Sequence, residues 1–271
     1  MNRYICPLCS NHHLRLSDMA SSTESLYSEV DELVDEYHCR EAYKKLEVVG
    51  FFFMIHVLSG PHSQLGAIVV DKAEWHRKCA EVCYLISNME EKDQERVEWL
   101  RKGRQHALDA HDLNPTSVPI LKILCSTTGR LAEESGLRDK INLGFEFKTY
   151  LDRAVALQPS SFELLHMRGR FTYQVANLSF LERLAARAIG TLPQVSLEAA
   201  LKDLLAAEQL RPGVTENRLY IGRVLHAKGD YAEARKWLTE AASATCDDDE
   251  SVEREHIAAA RNLLLNRVYQ R

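Results

Sequence analysis

The chain has 271 residues, 45% hydrophobic and 27% charged, a composition that can bury a core and excludes a wholly disordered polymer. Its formal net charge of −5 and sequence pI near 6.1 carry no basic signature, so no nucleic-acid partner is expected. Seven cysteines follow a start, Met1-Asn-Arg-Tyr-Ile-Cys6, that lacks the apolar core of a signal peptide, which points to reduced cytosolic thiols and away from a disulfide framework.

Residues 1–20 read as a disordered terminus. Within it, Cys6, Cys9 and His12 have the types and spacing to put two thiolates and an imidazole around zinc, but no second ligand pair follows. The unstructured reading outweighs the metal one, and no cofactor is expected. Residues 21–271 read as one helical domain. Leu26, Val30 and Leu33, then Ala42, Leu46 and Val49, recur at steps of three and four and predict a helix hairpin. Residues 18–47 hold nine acids against three bases, as solvated helical faces do.

Val48 to Val70 breaks the pattern and is expected to form an irregular apolar insertion. Each apolar half is shorter than the roughly 20 residues needed to cross a bilayer as a helix, and Ser59-Gly-Pro-His-Ser-Gln64 interrupts them. No membrane span is expected. Next, Trp75, Cys79, Val82, Cys83 and Ile86 share a helical face. His76, Cys79 and Cys83 could approach a metal together, yet cysteines on an apolar stripe are better read as small buried hydrophobes. In the following helix, near Gln94–Leu113, His106 and His111 are five residues apart and share no face, so no chemistry is assigned to them.

That helix ends in Ala110-His-Asp-Leu-Asn-Pro115, a phrase that returns as Ala154-Val-Ala-Leu-Gln-Pro159 and Ala207-Glu-Gln-Leu-Arg-Pro212. Each reads as the last apolar turn of a helix followed by a proline that cannot continue it. The intervals, 154 − 110 = 44 and 207 − 154 = 53, mark unequal helical repeats. Between the first two phrases, Thr116–Gly129 and a helix through Phe145, Tyr150, Leu151 and Ala154 are joined by a polar connection, Glu134–Lys140.

Beyond Ser160, Leu219, Gly222, Leu225, Gly229-Asp-Tyr231, Ala234, Leu238 and Ala241 have the order of a tetratricopeptide repeat. Gly222 and Ala234 are 12 residues apart, whereas their counterparts Gly169 and Ala200 are 31 apart, so this penultimate unit carries about 19 extra residues. The insertion, Tyr173–Pro193, is expected to lengthen the first helix and add a short second one before a turn at Pro193–Ser196. Cys246-Asp-Asp-Asp-Glu250 reads as an acidic turn and Ser251–Arg271 as a helix capping the last repeat. The expected fold is all-α, a superhelical stack of tetratricopeptide-like helix hairpins with an enlarged penultimate repeat and a C-terminal capping helix.

The second half resembles the regulator of microtubule dynamics family. The resemblance is carried by Ala154-Val-Ala-Leu-Gln-Pro159, His166-Met-Arg-Gly-Arg170, the Val175–Pro193 insertion with Leu181-Glu-Arg183, Leu197-Glu-Ala-Ala-Leu201, Ala207-Glu-Gln-Leu-Arg-Pro212 and Tyr220-Ile-Gly-Arg223 through Trp237-Leu238. It covers about 26–47 and 71–245, and Val48–Val70 departs from the pattern. It implies a non-enzymatic adaptor of the cytoplasm and cytoskeleton, at spindle or spindle pole, that meets tubulin or a microtubule-associated protein and contributes to chromosome segregation. It supplies no catalytic residues.

In such a stack the first helices of successive hairpins line a concave face. Arg170 and Arg223, each beside a close-packing glycine, assisted by His166, Gln174 and His226, are the candidate partner-binding groove for an acidic peptide, because a guanidinium fork can hold one carboxylate with two hydrogen bonds. The competing reading is a structural ion pair with Glu163, Glu216 or a neighbouring repeat. A lipid held in a concave apolar cavity is the alternative function. No phosphate loop, nucleophile elbow or paired metal-binding helix motif is present, and no enzyme is expected.

Overall fold

The computed structural model describes residues 16–57, 65–245 and 251–269. The Cys6, Cys9 and His12 candidate, the Ser59–Gln64 break and the Cys246–Glu250 turn lie outside the described residues. Among the described residues the fold is all-α, with twelve α-helices and no strand. They fall into two compact units, one up to Ser59 and one from Gly60.

The first unit is the hairpin α1 (Leu16–Asp35) and α2 (Cys39–Val57). Val30, Ala42 and Leu46, three of the residues whose spacing predicts it, are fully buried. Helix α1 begins inside the terminus expected to be disordered. Helix α2 continues to Val57, and α3 (Leu65–Met89) starts at Leu65, so most of the expected irregular insertion has helical backbone. An unpatterned apolar run remains competent to form the local i to i−4 bonds, and its helical glycines, Gly50 in α2 and Gly66 in α3, cost only about 1 kcal/mol each. No described helix is long and apolar enough to cross a membrane.

In the second unit, α3 pairs with α4 (Asp93–Leu113), α5 (Val118–Glu133) with α6 (Leu137–Leu157), α7 (Phe162–Ala176) with α9 (Leu197–Leu210), and α10 (Thr215–Lys228) with α11 (Tyr231–Ala242). The insertion becomes α8 (Phe180–Ile189), which packs on α6. It scarcely lengthens the first helix: α7 has 15 residues against 14 in α10. A reciprocal capping box between Ser179 and Glu182 starts α8 afresh instead of letting α7 run on. The polar connection before α6 is also shorter than expected, since α6 starts at Leu137.

The three Ala-x-x-Leu-x-Pro phrases fold alike. Their helices end at Leu113, Leu157 and Leu210, and the next residues, Asn114, Gln158 and Arg211, share φ −141° with ψ of 81°, 79° and 92°. Each donates its N–H to the carbonyl of Ala110, Ala154 or Ala207, and all three alanines are fully buried. Proline's ring excludes the helical conformation from the residue before it, so the sequence ends each helix at the same atom.

Helix α12 (Ser251–Leu264), followed by a 3-10 turn at Arg267–Tyr269, does more than cap the last hairpin. It packs on α10 and α11 but also reaches α3. Glu255 receives hydrogen bonds from Arg96 of α4 and Arg130 of α5, both at 3.2 Å. The amphipathic sequence foretells a covered face; only the packing of the hairpins on one another brings distant ones to it.

Candidate functional site

A cavity of about 200 Å³ opens among α5, α6, α7 and α8, with residues of α3, α10 and α12 at one side. One wall is apolar: Ile141, Phe145, Phe147, Phe171, Val175 and Leu192. The insertion closes this wall. Glu182 of α8 lies 3.6 Å from Lys140 of α6, and Gly190 sits so close to Phe145 that a Cβ there would fall 3.0 Å from its ring. A residue larger than glycine would push the ring aside. On its other side α8 keeps Phe180, Leu181 and Leu184 largely in solvent, at 78%, 70% and 59% exposure.

The opposite side is polar and internally neutralised. The Arg170 guanidinium spans two helices, donating to Glu133 of α5 and to Glu216 of α10. Gln174, one turn along α7, donates to the same Glu133 oxygen at 2.9 Å. Glu216 also has His166 Nε2 at 3.2 Å and His256 Nε2 of α12 at 3.5 Å. Burial works against the Glu216 charge, yet Arg170, His166 and His256 together hold its carboxyl well below the usual range. Burial likewise opposes the charge of Arg170, and Glu216 and Glu133 raise its pKa well above the ordinary value. The cluster is charged on both sides at neutral pH.

Three of the five expected groove residues, His166, Arg170 and Gln174, therefore meet at one cavity wall. The Arg170 fork is occupied by Glu133 and Glu216, the latter named above as a competing structural partner. Arg223 stands apart: its guanidinium lies 4.9 Å over the Tyr220 ring, which also carries Arg170 at 5.0 Å, and it pairs with no carboxylate among the described residues. His226 belongs to another cluster, 2.7 Å from the Tyr269 hydroxyl. Glu163 does not meet Arg170 and is bound by Lys122 and Arg211 instead.

Sequence reasoning does not single out the phenylalanine wall or Glu133, because nothing in a local pattern says that α5 and α6 will face α8. Cys79 and Cys83, the thiols that share a helical face with His76, are wholly buried. Cys125, at the cavity, is pushed up to about 12 by burial, which makes it an inert thiol.

Comparison with known proteins matches residues 26–266 to the family described as Regulator of microtubule dynamics protein 1-3. Regulator of microtubule dynamics protein 1 of Caenorhabditis elegans is 36% identical over 160 residues, covering 59% of this chain and 70% of that protein. Regulator of microtubule dynamics protein 3 of Rattus norvegicus is 34% identical over 158 residues, and protein 2 of Bos taurus is 38% identical over 96 residues. Those alignments span 33% and 23% of the rat and bovine proteins. The match runs from within α1 to just beyond α12 and includes both the cavity and the insertion that walls it: the chain belongs to the regulator of microtubule dynamics family.

Proposed function

We propose that the chain is a non-enzymatic adaptor that binds microtubules, through tubulin or a microtubule-associated protein, in the cytoplasm and at the spindle or spindle poles, and so contributes to chromosome segregation. The observation that carries this reading is the family match across residues 26–266. Two features of the surface support a docking role. Helix α8 presents Phe180, Leu181 and Leu184 to solvent, a row of large apolar side chains of the kind that marks an interaction surface. Arg223 offers a cation for an acidic peptide, while Arg170 holds α5, α7 and α10 in register behind it. In this division His166 and Gln174 act with Arg170 as the groove's floor, and His226 steadies its far edge through Tyr269.

Copelleting with microtubules over a range of salt concentrations tests this reading. Binding that falls with salt, and falls further in Arg223→Ala, is the expected result. No copelleting of the intact chain at low salt, alone or with a cell extract supplying an adaptor, would sink it.

The cavity favours a second reading, a lipid-binding module. A wall of three phenylalanines facing polar and charged side chains suits an acyl chain and its headgroup. At about 200 Å³ the space is below the roughly 300–1,000 Å³ usual for small-molecule sites, so it matches part of one chain better than a whole lipid. Mass spectrometry of lipids copurifying with the chain decides this: an absence of bound lipid removes the reading.

A further inference from the structure

The α3–α4 hairpin carries a side-chain cluster that neither the cavity nor its ion-pair network uses. His76 Nδ1 on α3 lies 3.0 Å from His106 Nδ1 on α4 and 3.7 Å from Asp109 Oδ2 on the same helix. One ligand atom from each of the three residues lies within 4.8 Å of the others. His106 and Asp109 are three residues apart and so share a helical face. Packing of α3 on α4 then sets His76 opposite them.

Three features suit this cluster to a metal ion. The first is spacing. Zinc bound tetrahedrally at about 2.0–2.1 Å from nitrogen and oxygen ligands holds them about 3.3 Å apart, a separation that lies between the two distances seen here. The second is orientation: Gln105 Nε2 donates to Asp109 Oδ1 at 2.9 Å, leaving Oδ2 toward His76, an outer partner of the kind that fixes ligating carboxylates. The third is shielding. The Trp75 ring meets both imidazoles edge-on, with centroids 4.6 and 5.4 Å away, and His76 is 8% exposed while Asp109 is partly open to solvent.

We propose that His76, His106 and Asp109 form a site for a zinc-type divalent cation, two imidazoles and one carboxylate with the fourth position left to solvent, which clamps α3 to α4. Imidazole selects borderline ions such as Zn2+ over the oxygen-seeking Mg2+ and Ca2+. The three residues are separate from those that line the cavity.

The test uses the full chain with Cys6→Ser, Cys9→Ser and His12→Ala and no affinity-tag histidines, so that N-terminal thiolates cannot answer for the hairpin. Titration with Co2+, followed by displacement with Zn2+, is read by visible absorption. The expected result is one Co2+ per chain with ligand-field bands and no near-ultraviolet sulfur-to-metal band. Asp109→Asn and His106→Gln, checked for helicity by circular dichroism, should weaken Zn2+ binding by more than tenfold. Gln105→Ala, which removes only a positioning residue, should weaken binding measurably but by less than either ligand variant. The Asp109 side chain is 39% exposed, so Asp109→Asn remains informative if His106→Gln fails to fold. The proposal is overturned if the background chain takes up no Co2+, if a sulfur band appears, or if Asp109→Asn binds Zn2+ as tightly as its parent.

Discussion

Gly222 of α10 lies against Leu238 of α11 so closely that a Cβ built on the glycine would fall 2.6 Å from Leu238 Cγ. Its counterpart Gly169 of α7 meets Leu204 of α9 in the same way, at 2.7 Å. Both leucines are fully buried and cannot move aside without disturbing the core. Gly222→Ala should therefore destabilise the fold by about 1–3 kcal/mol, the usual cost of overpacking. Gly144 of α6 has nothing within 4 Å of where a methyl would sit, and Gly144→Ala should stabilise by about 0.5–1 kcal/mol through helix propensity alone. Urea denaturation of the two variants should move in opposite directions; equal shifts would contradict the close-packing account.

The two arginines of the candidate groove should separate in a stability measurement. Arg170→Met leaves Glu133 and Glu216 without their shared cation, with 24% and 21% of those side chains exposed. A loss of about 3 kcal/mol is expected, the lower end of what breaking a buried pair costs, because each carboxylate still meets some water. Arg223→Ala gives up a contact with the Tyr220 ring worth about 0.5–1 kcal/mol. Partner binding is therefore best tested at Arg223, where a loss of affinity is not a loss of fold.

Acid should weaken the link between α5 and α7. Burial raises the Glu163 carboxyl, but hydrogen bonds from Ser161, its own backbone N–H and Lys122 outweigh it and bring the pKa from 4.5 down to about 2. With the folded value below the unfolded one, the stabilisation is complete above pH 4.5 and disappears as pH falls toward 2. Glu163→Gln should be less stable than the parent at neutral pH, and the gap should close across that window. A gap that stays constant with pH would show that the carboxylate's charge is not what matters.

Glu255 is the point at which α12 is tied to α4 and α5. Glu255→Arg replaces two attractions with repulsion and should favour detachment of α12 by about 1 kcal/mol, since the carboxylate is half exposed and the pairs are screened. Hydrogen exchange in α12 should then speed up by about fivefold, with α5 and α6 unchanged. Faster exchange throughout the second unit would instead mean that α12 is integral to the core.

Much of the fold is legible in the sequence. The helix ends after Leu113, Leu157 and Leu210, the close approach at Gly169 and Gly222, and the turn at Gly229, whose φ of 84° suits glycine, all follow from residues within a few positions of one another. The places where structure and expectation differ are informative. Val48–Val70 reads as irregular because its apolar residues have no period, but periodicity reports which face is buried, not whether backbone bonds form. Counting between glycine and alanine finds the enlarged repeat, yet its 19 or so extra residues build a separate capped helix, α8, because Ser179 and Glu182 satisfy a new N-terminus.

The sequence by itself determined the class of fold, the repeat punctuation and the family, since proline exclusion, small residues at crossings and apolar stripes act over one or two turns. Only the tertiary structure decided which charges meet. Arg170 has the sequence setting of a ligand-binding fork and is engaged by Glu133, 37 residues before it, and Glu216, 46 residues after it. His76 shares a helical face with Cys79 and Cys83, and it meets His106 and Asp109 on the next helix. A helix fixes the face on which a side chain stands; the partner on the far side depends on how hairpins pack, and that is settled by the whole buried surface rather than by any local stretch.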